Sequence, residues 1–111
     1  MANRPNQFVP LVAGDTGIVR TYRIDGATDL TAVTSVVPRV WKPGTAVVEL
    51  TGAVVDSSAS VRSISITWGT WLASTATAGD YLVEVELRQG STPIETWPSS
   101  PATQPVRAQG A

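Results

Sequence analysis

The sequence predicts an all-β fold in which two antiparallel sheets pack into a sandwich. Its apolar residues are dominated by Val and accompanied by many Thr and Ser, and β-branched side chains favour pleated, half-buried surfaces. Short turn sequences recur along the chain, and no segment between them shows a convincing helical stripe. The 111 residues suit a single domain. The predicted turns are 13–15, 25–26, 42–44, 78–80, 89–91 and 98–101.

Seven or eight strands are predicted, which is enough to close two packed sheets. Strand 81–88 is the clearest, because apolar residues alternate with charged ones at period two. In 33–41, Pro38 cannot donate to a ladder, which predicts an edge strand or a bulge. A helical turn is expected only at 72–78, as the corner between the sheets. The predicted strands are 7–13, 17–24, 33–41, 45–50, 52–56, 63–68, 81–88 and 92–97.

The two ends of the chain are predicted to lie outside the sandwich, which spans 7–97. Residues 1–6 are polar and form an N-terminal arm, and 98–111 form a proline-rich C-terminal arm that should be extended rather than packed. Two interpretations remain open: frayed ends, or arms that become ordered against a neighbouring subunit. The second makes Pro101, Pro105 and Arg107 candidate contact residues.

Composition argues against several classes of function. The chain has no Cys and no His, which removes thiolate and imidazole chemistry. Its net charge is −1 and its cations are scattered, whereas a nucleic-acid-binding protein shows a basic stripe. No apolar run approaches the roughly 18 residues of a membrane span, and the first seven residues lack a signal-peptide core. We therefore expect a soluble protein made in a cytosol, with no cofactor, nucleic-acid partner or membrane contact.

Catalytic patterns are weak, so we do not expect an enzyme. Glu84 and Glu86 share a strand face and resemble an acid–base pair, but a solvated face explains them better. The tripeptide Asp15-Thr16-Gly17 matches the catalytic loop of aspartic proteases, yet the later glycine-rich flap is missing. A calcium site at a loop end would need carboxylates, although turn aspartates usually cap their own backbone. These aspartates are Asp15, Asp25, Asp29, Asp56 and Asp80.

Four Trp in a short chain raise the question of binding. Trp68 shares its parity with two isoleucines and is predicted to be core. Trp71 and Trp97 each lie beside a turn and are the candidate contact residues, because Trp is favoured at assembly interfaces as well as in cores. The same pair could form a sugar-stacking platform for host-surface glycans.

A set of short motifs occurs in a consistent order. The strongest is 75–85, which reads Thr-Ala-Thr-Ala-Gly-Asp-Tyr-Leu-Val-Glu-Val. Gly14 to Pro98, which contains these motifs, resembles the immunoglobulin-like domain found at the front of phage upper-baseplate proteins and in small phage tail proteins. The family's Asp-Leu-Thr-Gly-Ala is matched only in part, because its Gly is missing. The other motifs are Gly14-Asp15-Thr16, Asp29-Leu30-Thr31, Thr67-Trp68 and Glu95-Thr96-Trp97-Pro98.

The resemblance implies an immunoglobulin-like β-sandwich without catalytic residues. Gly79 would permit a structural corner, and the Tyr81 hydroxyl would tie back to the preceding turn. The implied function is that of a bacteriophage virion structural protein of the tail or baseplate. Such a protein binds other virion proteins, is present in many copies and is assembled in the host cytoplasm. The alternatives are a capsid decoration protein of the same fold and a carbohydrate-binding module.

Overall fold

A computed structural model describes residues 7–24, 30–58 and 62–109. These residues form eight strands, one short helix and one 3-10 turn at Leu30–Ala32. The predicted N-terminal arm, residues 1–6, lies outside the described residues. In chain order the elements are β1 Leu11–Val12, β2 Val19–Arg23, β3 Ser35–Trp41, β4 Val48–Glu49, β5 Thr51–Asp56, β6 Ser63–Thr67, α1 Gly69–Ser74, β7 Gly79–Gln89 and β8 Thr92–Arg107.

The strands form one curled sheet in the order β1-β8-β7-β3-β5-β6-β2, with β4 pairing to β3. All pairs are antiparallel except β1 with β8, which is parallel. The two ends of the sheet meet, because the rings of Tyr22 on β2 and Trp97 on β8 lie 6.5 Å apart. The all-β prediction is therefore confirmed.

The apolar core fills the space that the curled sheet encloses. The period-two prediction for 81–88 is confirmed, because Val83, Val85 and Leu87 are fully buried. The prediction that Trp68 is core is also confirmed. Burial of these large side chains supplies the main driving force for folding. The other buried apolar residues include Leu11, Ile24, Leu30, Val36, Val40, Ile64, Ile66, Leu72 and Val106.

β3 lies in the interior of the sheet, so the prediction that Pro38 marks an edge strand is wrong. β7 pairs along all of β3 on one side, and β4 and β5 pair on the other. The Pro38 carbonyl accepts a hydrogen bond from the Leu50 amide at 2.8 Å. The Arg39–Glu49 and Val36–Gly52 pairs belong to one continuous register, so Leu50 lies directly opposite Pro38. The single ladder bond that proline cannot donate is what separates β4 from β5.

The predicted C-terminal arm is packed into the sheet over most of its length. β8 runs to Arg107 and pairs with β7, so the domain does not end at residue 97. The segment is extended, as its prolines predict, but Ala102, Gln104 and Val106 are buried. Residues 98–101 lie where the β7–β8 register shifts, so a bulge accommodates two of the prolines.

The helical turn begins earlier than the predicted 72–78. α1 starts at Gly69 and joins β6 to β7, which belong to one curled sheet and not to the two sheets that the predicted corner was to connect. Trp68, Trp71 and Leu72 are buried and follow the i, i+3, i+4 spacing of a helix face. Packing of this stripe holds the helix, since no side chain caps its N-terminus.

Candidate functional site

The structural corner at Tyr81 lies between α1 and β7. The Tyr81 hydroxyl donates to the Thr77 carbonyl and accepts from the Thr77 amide, each at 3.1 Å. These are the bonds to the preceding turn that the resemblance implied. Gly79 has a φ of 144°, a conformation that side-chain-bearing residues rarely adopt, so this corner requires a glycine.

Lys42 completes the corner from the β3–β4 turn. Its ammonium donates to the Thr77 hydroxyl at 3.0 Å and to the Ala78 carbonyl at 3.2 Å. A Cβ at Gly79 would lie 3.0 Å from Lys42 Cε, so the Lys42 side chain occupies the space that a side chain at position 79 would need. Burial raises the pKa of Tyr81, but its bonds to Thr77 and the Lys42 charge outweigh burial and lower it below 10.0.

An aromatic cluster joins the N-terminal segment to both ends of the sheet. The Phe8 ring stacks on Tyr22 at 4.6 Å and on Trp97 at 6.0 Å between centroids. The Trp68 indole N–H donates to the Tyr22 hydroxyl at 2.9 Å, which connects the cluster to the core. Burial raises the pKa of Tyr22 above 10.0, although the Trp68 bond and the charge of Arg20 act against it.

Beside this cluster lies an open cleft of about 430 Å³ between the N-terminal segment and β2. We call it the aromatic cleft. The Arg20 guanidinium fixes one wall, because it donates to the carbonyls of Val9 at 2.9 Å and Pro10 at 3.1 Å. Gln104 donates to the same Val9 carbonyl from the buried side at 2.9 Å. The cleft is lined by Gln7, Phe8, Val9, Arg20, Thr21 and Tyr22.

The outer face of β3 and β7 carries an ion-pair network. Arg39 donates to Glu86 at 2.8 Å and to Glu49 at 3.2 Å, and Arg88 donates to the other Glu86 oxygen. The side chain of Glu86 is only 14% exposed, so this face is less solvated than the sequence predicted. Hydrogen bonds from Arg39 and Arg88 lower the pKa of Glu86 below 4.5.

The predicted contact residues are dispersed over the fold. Trp71 is 5% exposed and packs edge-on against Tyr81 at 4.8 Å, so its prediction as a surface contact is wrong. Trp71 lies on the apolar face of α1, which points its ring into the core, so its position near a turn does not expose it. Trp97 is half-buried beside Phe8. Pro101 and Arg107 are exposed on β8, and Pro105 is half-buried opposite Asp80.

The loop aspartates that the structure describes do not converge. Asp56 accepts a hydrogen bond from the Ser58 amide at 2.9 Å, which is the local capping expected of a turn aspartate. Asp25 and Asp29 lie outside the described residues. Across 7–24, 30–58 and 62–109, no three His, Cys, Asp or Glu side chains come together as a metal site requires. Within the same residues, no helix is long and apolar enough to cross a membrane.

Three residues that build these sites did not stand out in the sequence. Lys42 meets Thr77 across 35 residues, and Arg39 meets Glu86 across 47. Strand periodicity places Arg39 and Glu86 on outer faces but does not reveal which strands become neighbours. Phe8 had a recognisable signal, since it is the only Phe and directly follows the polar N-terminal stretch.

Comparison of the chain with protein-family models, curated proteins and solved structures gives no match.

Proposed function

We propose that this chain is a bacteriophage virion structural protein of the tail or baseplate, and that it acts through contacts with other virion proteins. The observation that carries the proposal is the Tyr81–Thr77 corner. It lies within 75–85, the segment where the motifs shared with phage immunoglobulin-like domains are densest. A β-sandwich of this kind hosts many functions, so the motifs rather than the fold alone support the choice.

The surface of the domain suits assembly. The free edge of β2 lies next to the aromatic cleft, and an unpaired strand edge is a template for another chain. Gln7, the first described residue, lines this cleft. Partly buried aromatic rings such as Phe8 and Trp97 are typical anchors of protein interfaces.

The test is the presence and position of the protein in particles. Particles are purified from cells infected by a phage whose genome encodes this chain, and the chain is detected by mass spectrometry. Antibody labelling in the electron microscope then gives its position. We expect a constant ratio to the major virion proteins and label on the tail or baseplate. Label on the head would support the capsid decoration alternative instead. Expression in infected cells without incorporation into particles contradicts both.

A second candidate function, carbohydrate binding, is favoured by the aromatic cleft. Phe8 and Tyr22 offer ring surfaces there, and Arg20, Gln7 and Thr21 offer polar groups, although the predicted partner Trp71 is buried. A glycan array distinguishes the two functions. Binding that is lost in Phe8→Ala and retained in Val55→Ala, an exposed change on β5, would favour the carbohydrate function.

A further inference from the structure

The aromatic cleft contains a cation whose charge the chain does not neutralise. The Arg20 side chain lines the cleft, and its guanidinium donates to the carbonyls of Val9 at 2.9 Å and Pro10 at 3.1 Å. Both acceptors are neutral. Within 7–24, 30–58 and 62–109, no carboxylate bonds to Arg20. The positive charge is therefore open to a ligand in the cleft.

The two carbonyls hold this cation in place. The Val9 carbonyl also accepts a hydrogen bond from the buried Gln104 at 2.9 Å, so the acceptor is itself anchored to β8. A head group that is fixed before a ligand arrives loses less conformational entropy on binding. A guanidinium has more N–H groups than the two carbonyls use, and its planar fork matches the two oxygens of a carboxylate.

Two aromatic rings line the same cleft beside the cation. Phe8 stacks on Tyr22 with 4.6 Å between the ring centroids. The Tyr22 hydroxyl accepts a hydrogen bond from the Trp68 indole at 2.9 Å, which fixes the orientation of that ring. Apolar ring walls with a few polar groups between them are typical of small-ligand sites, and the C–H face of a sugar ring fits against such a wall.

The remaining groups of the cleft suit a hydroxylated ligand. Gln7 and Thr21 are exposed and offer an amide and a hydroxyl. The volume of about 430 Å³ lies within the range of ligand sites, and the cleft is open, so it can take one unit of a longer chain.

We propose that the aromatic cleft binds a uronic acid unit of an acidic polysaccharide, with the carboxylate on Arg20 and the sugar ring against Phe8 and Tyr22. The proposal rests on the carbohydrate function given above as the second candidate, and it names the class of sugar. The chain has a net charge of −1, so it has no general attraction for an acidic polymer. The preference for acid comes from the local cation.

The first test compares pairs of ligands on the unaltered full chain. The probes are short oligosaccharides of glucuronic, galacturonic or mannuronic acid, each paired with its carboxyl-reduced form. Chemical shift changes in NMR titrations give the dissociation constants. We expect at least one acid to bind and its reduced form to bind about tenfold more weakly, because a charge-assisted hydrogen bond is stronger than a neutral one.

The second test changes the cation. Arg20→Gln should bind the acid and its reduced form alike, and Arg20→Lys should keep part of the preference. The ratio between the two ligands is the readout, since a disturbed cleft wall weakens both members of a pair. Near-UV circular dichroism shows whether each variant keeps the aromatic cluster. Arg107→Gln, which removes an exposed cation at the end of β8, is the matched control and should keep the full ratio.

The outcomes separate this proposal from the carbohydrate function on which it rests. Equal binding of the acid and reduced forms overturns the uronic acid proposal and leaves carbohydrate binding in place. Loss of the ratio in Arg107→Gln as well as in Arg20→Gln also overturns it, because the preference would then follow overall charge. If no oligosaccharide of either form binds at millimolar concentration, both the proposal and carbohydrate binding by this cleft are wrong.

Discussion

The ammonium of Lys42 lies 4.9 Å above the ring centroid of Tyr81. The two residues come from the β3–β4 turn and from β7, and the ammonium also reaches Thr77 and Ala78. A cation over an aromatic face is attracted by the ring quadrupole. Lys42 thus links the β3–β4 turn to the corner that Tyr81 closes.

Lys42→Met should lower the free energy of unfolding by about 1 kcal/mol, because it removes the cation–π contact and two partly exposed hydrogen bonds while keeping an apolar stem. Urea denaturation followed by tryptophan fluorescence measures this. The control is Arg107→Met, which removes an exposed cation from the end of β8. Equal effects of the two substitutions would show that the corner gains nothing from Lys42.

Gly52→Ala should destabilise the chain by about 1–3 kcal/mol, as overpacking does. The residue pairs with Val36 where β5 passes β3, and an added Cβ would lie 2.9 Å from both Pro38 Cγ and Val36 Cγ1. Thermal unfolding by circular dichroism measures the loss. Ala53→Val adds bulk at the next, exposed position and should change the midpoint little. A Gly52→Ala protein with an unchanged midpoint would contradict this close approach.

Much of the fold was predictable because strand periodicity is a local signal. The alternation through Val83, Val85 and Leu87 located β7 and its buried side. The interior position of Pro38 was not predictable in the same way, because the neighbours of β3 are set by contacts distant in sequence. The loss of one ladder bond opposite Leu50 does not prevent pairing on both sides of β3.

The course of β8 and the site residues depended on contacts distant in sequence. The buried Gln104 amide nitrogen bonds to the Val9 carbonyl 95 residues away, whereas its Oε1 has no hydrogen-bond partner among the described residues. This contact distant in sequence holds a polar residue of β8 in the core. The corner at Tyr81 was expected from the resemblance to phage immunoglobulin-like domains, and its partner Thr77 lies only four residues away. Its third member, Lys42, has no local signal.

Stability should fall with acid in a way that depends on Glu86. The folded state holds the pKa of Glu86 below its ordinary value of 4.5, because Arg39 and Arg88 bond to the carboxylate. As the pH drops through 4.5, the unfolded chain takes up the proton first, so the stabilisation present above that pH is progressively lost. Glu86→Gln should cost about 0.5–1 kcal/mol at pH 7 and less at pH 3.

Urea titrations at several pH values check this difference. Glu84→Gln is the matched control, two residues earlier on the same face of β7. Its effect should be smaller at pH 7 than that of Glu86→Gln. If the cost of Glu86→Gln is the same at pH 7 and pH 3, the ion-pair network does not stabilise the fold through this carboxylate.

Truncation at the C-terminus distinguishes an arm from a strand. A chain that stops after Pro98 loses Ala102, Gln104 and Val106 from the core and exposes the inner residues of β7, so it should not fold stably. Loss of Val106 and Ala102 alone costs about 3 kcal/mol or more, a large share of the stability of a small domain. A chain that stops after Ala108 keeps the whole of β8 and should melt close to the intact protein. Circular dichroism compares the three lengths. If the chain that stops after Pro98 unfolds in a cooperative, native-like transition, β8 beyond residue 98 is dispensable for folding. The C-terminal segment would then be an arm, as the sequence predicted, and not a structural strand.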